Sequence, residues 1–163
     1  GLDFVPALLL TDTTGLSDLS VLEEIERIDV LALRRPPAGL DEVRAKDVGR
    51  LVVEGAATAS LAVRLERVQS ILVTSGSPDV ASTSTLSVRV ESGEGLEELV
   101  VDRLSLTDLD GLSTLRPSVS VAITNNPDLP QATVDAFVAT LRSAGFTGTA
   151  STCGNAGGAA CDP

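Results

Sequence analysis

The chain has 163 residues, of which 43% are hydrophobic and only 2% aromatic, and its formal net charge at pH 7 is -11. A chain of this length can bury a substantial core as one domain. Binding to phosphate relies on clusters of Lys and Arg, so the negative charge argues against nucleic acid as a partner. No apolar run reaches the length of about 18 residues that spans a membrane, so we expect a protein that is not membrane-spanning.

The composition also predicts how the core is built. The chain has no Trp, Tyr or Met and three Phe residues. Its core must therefore consist of Leu, Val, Ile and Ala, which stack in repeated layers more readily than they fill one large irregular centre. This favours a layered fold.

Six short apolar runs recur along the chain. They are residues 7–10, 30–33, 51–53, 70–73, 99–101 and 120–123, and taking Leu8, Leu31, Leu51, Ile71, Leu99 and Val121 as equivalent gives spacings of 23, 20, 20, 28 and 22 residues. Turns rich in Gly, Pro, Asn and Asp follow most of the runs. A strand–helix–strand unit needs about 30 residues, whereas leucine-rich solenoid coils repeat every 20 to 29. We therefore predict a mainly β, single-domain right-handed solenoid with short helices.

The segments between the runs indicate the return path of each coil. Residues 16–22 and 104–112 carry Leu every two or three positions, which suits short turns, 3₁₀ helix or brief α-helix. The longest interval contains a further candidate strand at residues 86–90. It is either a compressed extra coil or a hairpin inserted into one coil.

The C-terminal part changes character. Val134, Phe137, Val138 and Leu141 have helical spacing and Gly145 follows them, which predicts a capping helix at about residues 130–144 within a solenoid of residues 1–150. Residues 151–163 form a Gly- and Ala-rich tail that holds the two cysteines, Cys153 and Cys161. We predict a disulfide between them, which fits an oxidising compartment; two cysteines without any His make a poor zinc site.

These features together resemble a known family. The strand and Leu-rich return over about residues 5–129, the turn at residues 125–129, the helix and the Cys153-Gly154-Asn155 sequence resemble the leucine-rich, receptor L-domain-like proteins, especially those of bacterial secreted proteins and lipoproteins. The Asn that this family carries after each strand appears here only in the final coil, so an irregular L-domain-like β-helix is expected. The resemblance implies recognition or adhesion at a cell surface or in the extracellular space, with no catalytic residues.

Alternation along the strands predicts which surface carries the function. If the equivalent residues face the core, one outward side chain per coil forms a column of apolar residues: Leu9, Ala32, Val52, Leu72, Val100 and Ala122. The positions beside it, residues 11, 34, 54, 74, 102 and 124, are polar. A polar-rimmed apolar stripe is typical of an interaction surface, although cover by an adjoining domain or subunit, or plain exposure, would also fit.

Catalysis finds little support in the composition. The chain has no His to act as a base near neutral pH, although Asp108 with Asp110, or Glu97 with Glu98, could serve as acid and base in a polysaccharide-cleaving β-helix enzyme. The turns at residues 108–111 and 125–128 offer oxygen atoms but match no calcium-binding spacing, and no Gly-rich phosphate loop occurs. We predict no enzyme, no cofactor and no metal site.

The sequence thus favours an extracellular or cell-surface module that binds a protein or glycan through its sheet face. The alternative is a structural subunit whose solenoids associate with one another, as in a filament or surface layer.

Overall fold

A computed structural model describes residues 3–11, 19–35, 40, 42–55, 60–75, 85–91 and 95–161, and within them the protein is mainly β. The strands are β1 (Phe4–Thr11), β2 (Arg27–Arg34), β3 (Glu42–Glu54), β4 (Ser60–Thr74), β5 (Thr85–Val90), β6 (Glu98–Asp102), β7 (Ser120–Thr124) and β8 (Thr149–Ser151). Two 3₁₀ helices (Ser20–Glu24 and Asp110–Leu112) and one α-helix, α1 (Gln131–Ser143), lie between them. Each of the six predicted apolar runs falls inside a strand.

All strand pairs are parallel, in the order β1-β2-β3-β4-β6-β7-β8. The register places Leu8, Leu31, Leu51, Ile71, Leu99 and Val121 side by side on successive strands. The equivalence predicted from the sequence is therefore confirmed. The chain is a β-solenoid, as predicted, in which each coil hydrogen-bonds to the next.

The candidate strand at residues 86–90 has a different role from either predicted alternative. β5 pairs in parallel with the first half of β4, and β6 pairs with its second half. The two strands are thus two sides of one coil, so β5 is neither an extra coil nor a hairpin. The reason is the connection: eight residues lie between Val90 and Leu99, against five between their partners Leu65 and Ile71, and the longer path interrupts the strand.

The core is a column of aliphatic side chains inside the coils. In β3 the buried residues are Val43, Ala45, Val48, Leu51 and Val53, so strict alternation is interrupted by a three-residue step on either side of Val48. Each such step turns the strand around the core, because a straight strand would send every third side chain to the opposite face. Full burial of each Leu or Val stabilises the fold by about 1.5–3 kcal/mol.

Helix α1 covers the C-terminal part of the core, close to the predicted span of 130–144. Val134 and Leu141 are buried, and Phe137 packs against the core from a half-buried position. Gly145, which follows the C-cap residue Ala144, has a φ of +100°, and the amide of Phe146 donates to the carbonyl of Leu141, as in a Schellman motif that terminates the helix. The predicted capping role is thus confirmed.

Part of the Gly- and Ala-rich tail continues the solenoid. β8 pairs in parallel with β7 and crosses the predicted boundary at residue 150. The Cys153–Cys161 disulfide closes the loop that follows, and Ala156 forms a bridge with Pro130 ahead of α1. In the described part of the chain, no helix is both long enough and apolar enough to cross a membrane.

Candidate functional site on the outer face of the sheet

The predicted outward column exists as one row across the sheet. Leu9 pairs with Ala32, and the row continues through Val52, Leu72 and Val100 to Ala122. Its residues alternate along each strand with the buried core residues, as expected for β structure. We call these six residues the apolar stripe.

The solvent exposure of the stripe residues differs along the row. Leu9 is 55% exposed, whereas Ala32 is only 8% exposed and offers little surface. Val52, Leu72, Val100 and Ala122 are half-buried, because stripe neighbours on adjacent strands lie about 4.8 Å apart and cover one another's flanks. The usable apolar surface is therefore the row over β3, β4, β6 and β7, with Leu9 as a separate exposed end.

Polar side chains line one side of the stripe. They form the row predicted from the sequence: Thr11, Arg34, Glu54, Thr74, Asp102 and Thr124. Two pairs in this row are joined across strands: Arg34 Nε lies 2.8 Å from Glu54 Oε2, and the Thr124 hydroxyl donates to Asp102 Oδ1 at 2.9 Å. These bonds orient the polar rim, so the stripe has one well-ordered border.

A second outward row, which was not predicted from the sequence, borders the stripe on its other side. Two residues before each stripe residue lies another outward row: Ala7, Val30, Arg50, Ser70, Glu98 and Ser120. It is apolar at β1 and β2 and polar from β3 onward. The same alternation that gave the stripe could have found this row.

The backbone beyond the polar rim turns sharply. Arg35, Gly55, Arg103, Asn125 and Gly154 all have φ values between +47° and +69°. The amides of Arg35, Gly55, Arg103 and Asn125 each donate to a carbonyl of the next coil at 2.7–3.1 Å. This left-handed corner costs non-glycine residues about 1–2 kcal/mol. The repeated bonds offset that cost and fix the edge of the face.

Two buried asparagines close the C-terminal end. The Asn126 side chain accepts from the Leu104 amide at 2.9 Å and donates to Asn155 Oδ1 at 3.0 Å, and Asn155 in turn donates to the Ile123 carbonyl at 2.9 Å. Both residues belong to the sequence motifs described above, but their contact gave no signal in the sequence. The expected Asn of the final coil thus stacks on a second one supplied by the tail.

A second outer face, formed by the first halves of β3 and β4 with β5, is charged. Arg44, Arg64 and Arg89 lie in register there, and Glu42 pairs with both Arg44 and Arg64. The hydrogen bond from Arg44 lowers the pKa of the Glu42 carboxyl and raises the pKa of Arg44. On a neighbouring position, the hydrogen bond to Glu26 raises the pKa of Lys46.

The candidate catalytic carboxylates lie apart from the stripe. Asp108 Oδ1 accepts from the Asp110 amide at 3.1 Å and so shapes the turn that opens the second 3₁₀ helix. Glu97 and Glu98 are exposed at the start of β6. Among the residues that the structure describes, no three acidic or cysteine side chains are grouped to hold a metal ion.

The geometry therefore offers one ordered surface, the polar-bordered apolar stripe, on a solenoid whose C-terminal end is closed. The chain has no significant match to any protein-family model, curated protein or solved structure.

Proposed function

We propose that this solenoid is a recognition module that binds a protein or glycan partner through the apolar stripe. The observation that carries the proposal is the register, which sets six apolar side chains in one row, with a polar row on one side and a row that is polar from β3 onward on the other. An apolar centre with a polar border is the usual composition of a protein-binding surface. The stripe is also a flat sheet face, which suits a macromolecular partner better than a small ligand held in a cleft.

A protein partner fits the stripe better than a glycan. The stripe has only aliphatic side chains, whereas the faces of sugar rings pack well on aromatic ones. Val52, Leu72 and Val100 would supply the buried centre of the contact, and the two polar rows would stay at its rim. From its sequence we propose that the module is of the L-domain-like type of leucine-rich protein.

An extracellular or cell-surface location is part of the proposal. It is supported by the disulfide between Cys153 and Cys161, since such bonds persist in oxidising compartments and are rare in the cytosol. The acidic surface is compatible with this location and disfavours anionic polymers as ligands.

The test begins with a ligand screen of immobilised domain against an extracellular protein library and a glycan array. Any ligand found is then titrated against Val52→Glu and Leu72→Glu. Burying a charge at the centre of the contact should weaken binding by about 100-fold or more, since such a group loses several kcal/mol of hydration.

The control is Ser87→Glu, which adds the same charge at an exposed position of β5, away from the stripe. It should bind like the wild type, and thermal unfolding should show that all three variants are folded. Equal affinity of wild type and folded stripe variants would show that the ligand binds elsewhere and that the proposal is wrong.

A further inference from the structure

Exposed apolar side chains are concentrated at the N-terminal end of the solenoid. The described residues include four large hydrophobic side chains that are exposed: Phe4, Leu9, Val21 and Val119. Phe4 and Leu9 lie on β1, and Val21 lies in the 3₁₀ helix between β1 and β2. Three of the four thus belong to the first coil.

The core of this coil is also incompletely covered. Val5, Leu8 and Leu10 are only partly buried, although their partners on β2, Ile28, Leu31 and Leu33, are at most 1% exposed. The difference arises because β2 is covered by coils on both sides. β1 pairs with β2 on one side and, among the described residues, with no strand on the other.

The outer edge of β1 is suited to pairing. Its sequence, FVPALLLT, contains no charged residue, and charges are the common means by which natural edge strands avoid association. Pro6 cannot donate a backbone hydrogen bond, so it limits pairing in the first half of the strand. Residues 7–11 contain neither a proline nor a charge.

We propose that a second copy of this chain occupies the edge, with the two β1 strands antiparallel about a two-fold axis at Leu9. In this register Leu9 lies opposite Leu9 of the second copy, and Leu8 lies opposite Leu10. Residues that face each other in an antiparallel pair share one face of the sheet, so core residues meet core residues and the stripe continues into the second copy.

The opposite end of the molecule cannot take this role. β8 has three residues against the eight of β1, and the disulfide loop follows it directly. Head-to-tail stacking would therefore leave most of β1 uncovered, and it would also generate an open polymer rather than a closed dimer. The uncharged strand β1 moreover allows two copies of a chain with a net charge of -11 to pair without like charges directly opposed.

The test uses sedimentation equilibrium of the full chain from micromolar to millimolar concentration. The wild type should dimerise. Leu9→Glu and Leu9→Lys each place like charges opposite one another at the axis and should each weaken the dimer about 100-fold. An equimolar mixture of the two variants should dimerise again, because Glu then faces Lys. Hydrogen exchange at residues 7–11 should slow as the wild-type concentration rises.

The control is Val119→Glu, an equally exposed apolar residue outside the first coil, which should leave the wild-type dimer intact. A wild type that stays monomeric throughout, or variants whose mixture does not recover, would overturn the inference. A dimer broken by Leu72→Glu but not by Leu9→Glu would place the interface on the stripe instead and also overturn it. A monomeric wild type would leave the proposed recognition function untouched, since that function needs only the stripe.

Discussion

At the scale of single residues, the buried pair Asn126 and Asn155 constrains this solenoid through hydrogen bonds. Asn126 is 0% and Asn155 5% exposed, so their amides must find partners inside the protein. Between them they satisfy the Leu104 amide and the Val101 and Ile123 carbonyls, and they bond to each other. The pair therefore links three successive coils through polar contacts in a core that is otherwise mainly aliphatic.

Removing either side-chain amide should lower the free energy of unfolding, and the two losses should not be additive. Asn126→Ala leaves buried backbone groups unpaired and should lower the free energy of unfolding by about 2–3 kcal/mol, with Asn155→Ala somewhat less. Because the residues share a hydrogen bond, the double variant should lose at least about 0.5 kcal/mol less than the sum of the single variants. Urea unfolding of the wild type, the two single variants and the double variant measures the four free energies of unfolding. Strict additivity would mean that the two side chains do not interact in the folded state.

At the scale of elements, regular alternation made the strands predictable. The inward residues Leu51 and Val53 flank the outward residue Val52, and the other apolar runs show the same alternation. Aligning the runs predicted both the strand register and the face that points into the core. The role of β5 could not be predicted, because a connection three residues longer than its counterpart hides the correspondence with β4. The low exposure of Ala32 and the Asn126–Asn155 contact depend on neighbours that are distant in sequence, so local pattern gave no signal for them.

The disulfide should stabilise the loop that follows β8 at the C-terminal end. Cys153 and Cys161 are 8 residues apart. Closing so short a loop lowers the conformational entropy of the unfolded chain, which stabilises the folded state by about 2.5 kcal/mol. The double variant Cys153→Ser/Cys161→Ser should lose about this much stability in urea unfolding. Reduced wild type should match it, and reductant should have no effect on the double variant. An unchanged midpoint in the reduced wild type would show that the loop is held by its hydrogen bonds alone.

At the scale of the whole molecule, the two ends of the solenoid differ. The C-terminal end has helix α1, the disulfide and the two asparagines, whereas the first coil leaves Leu8 and Leu10 partly exposed. In a solenoid each coil contacts only its neighbours, so stability depends on local interfaces, and a coil whose core residues are less buried opens first. The structure thus implies a gradient of stability along the axis.

That gradient predicts the order in which amides exchange with solvent. The Leu9→Glu variant is monomeric if β1 forms the dimer. In this variant, the free energy of opening that exposes the β1 amides should be lower than that for the β6 and β7 amides by about 2 kcal/mol or more. Native-state hydrogen exchange at low denaturant, followed by NMR, measures each amide. Reduction of the disulfide should lower protection at β8 and leave β1 unchanged, since in the sheet five strands lie between β1 and β8. Equal protection along the axis would mean that the solenoid unfolds as one cooperative unit and that its uncovered first coil has no energetic consequence.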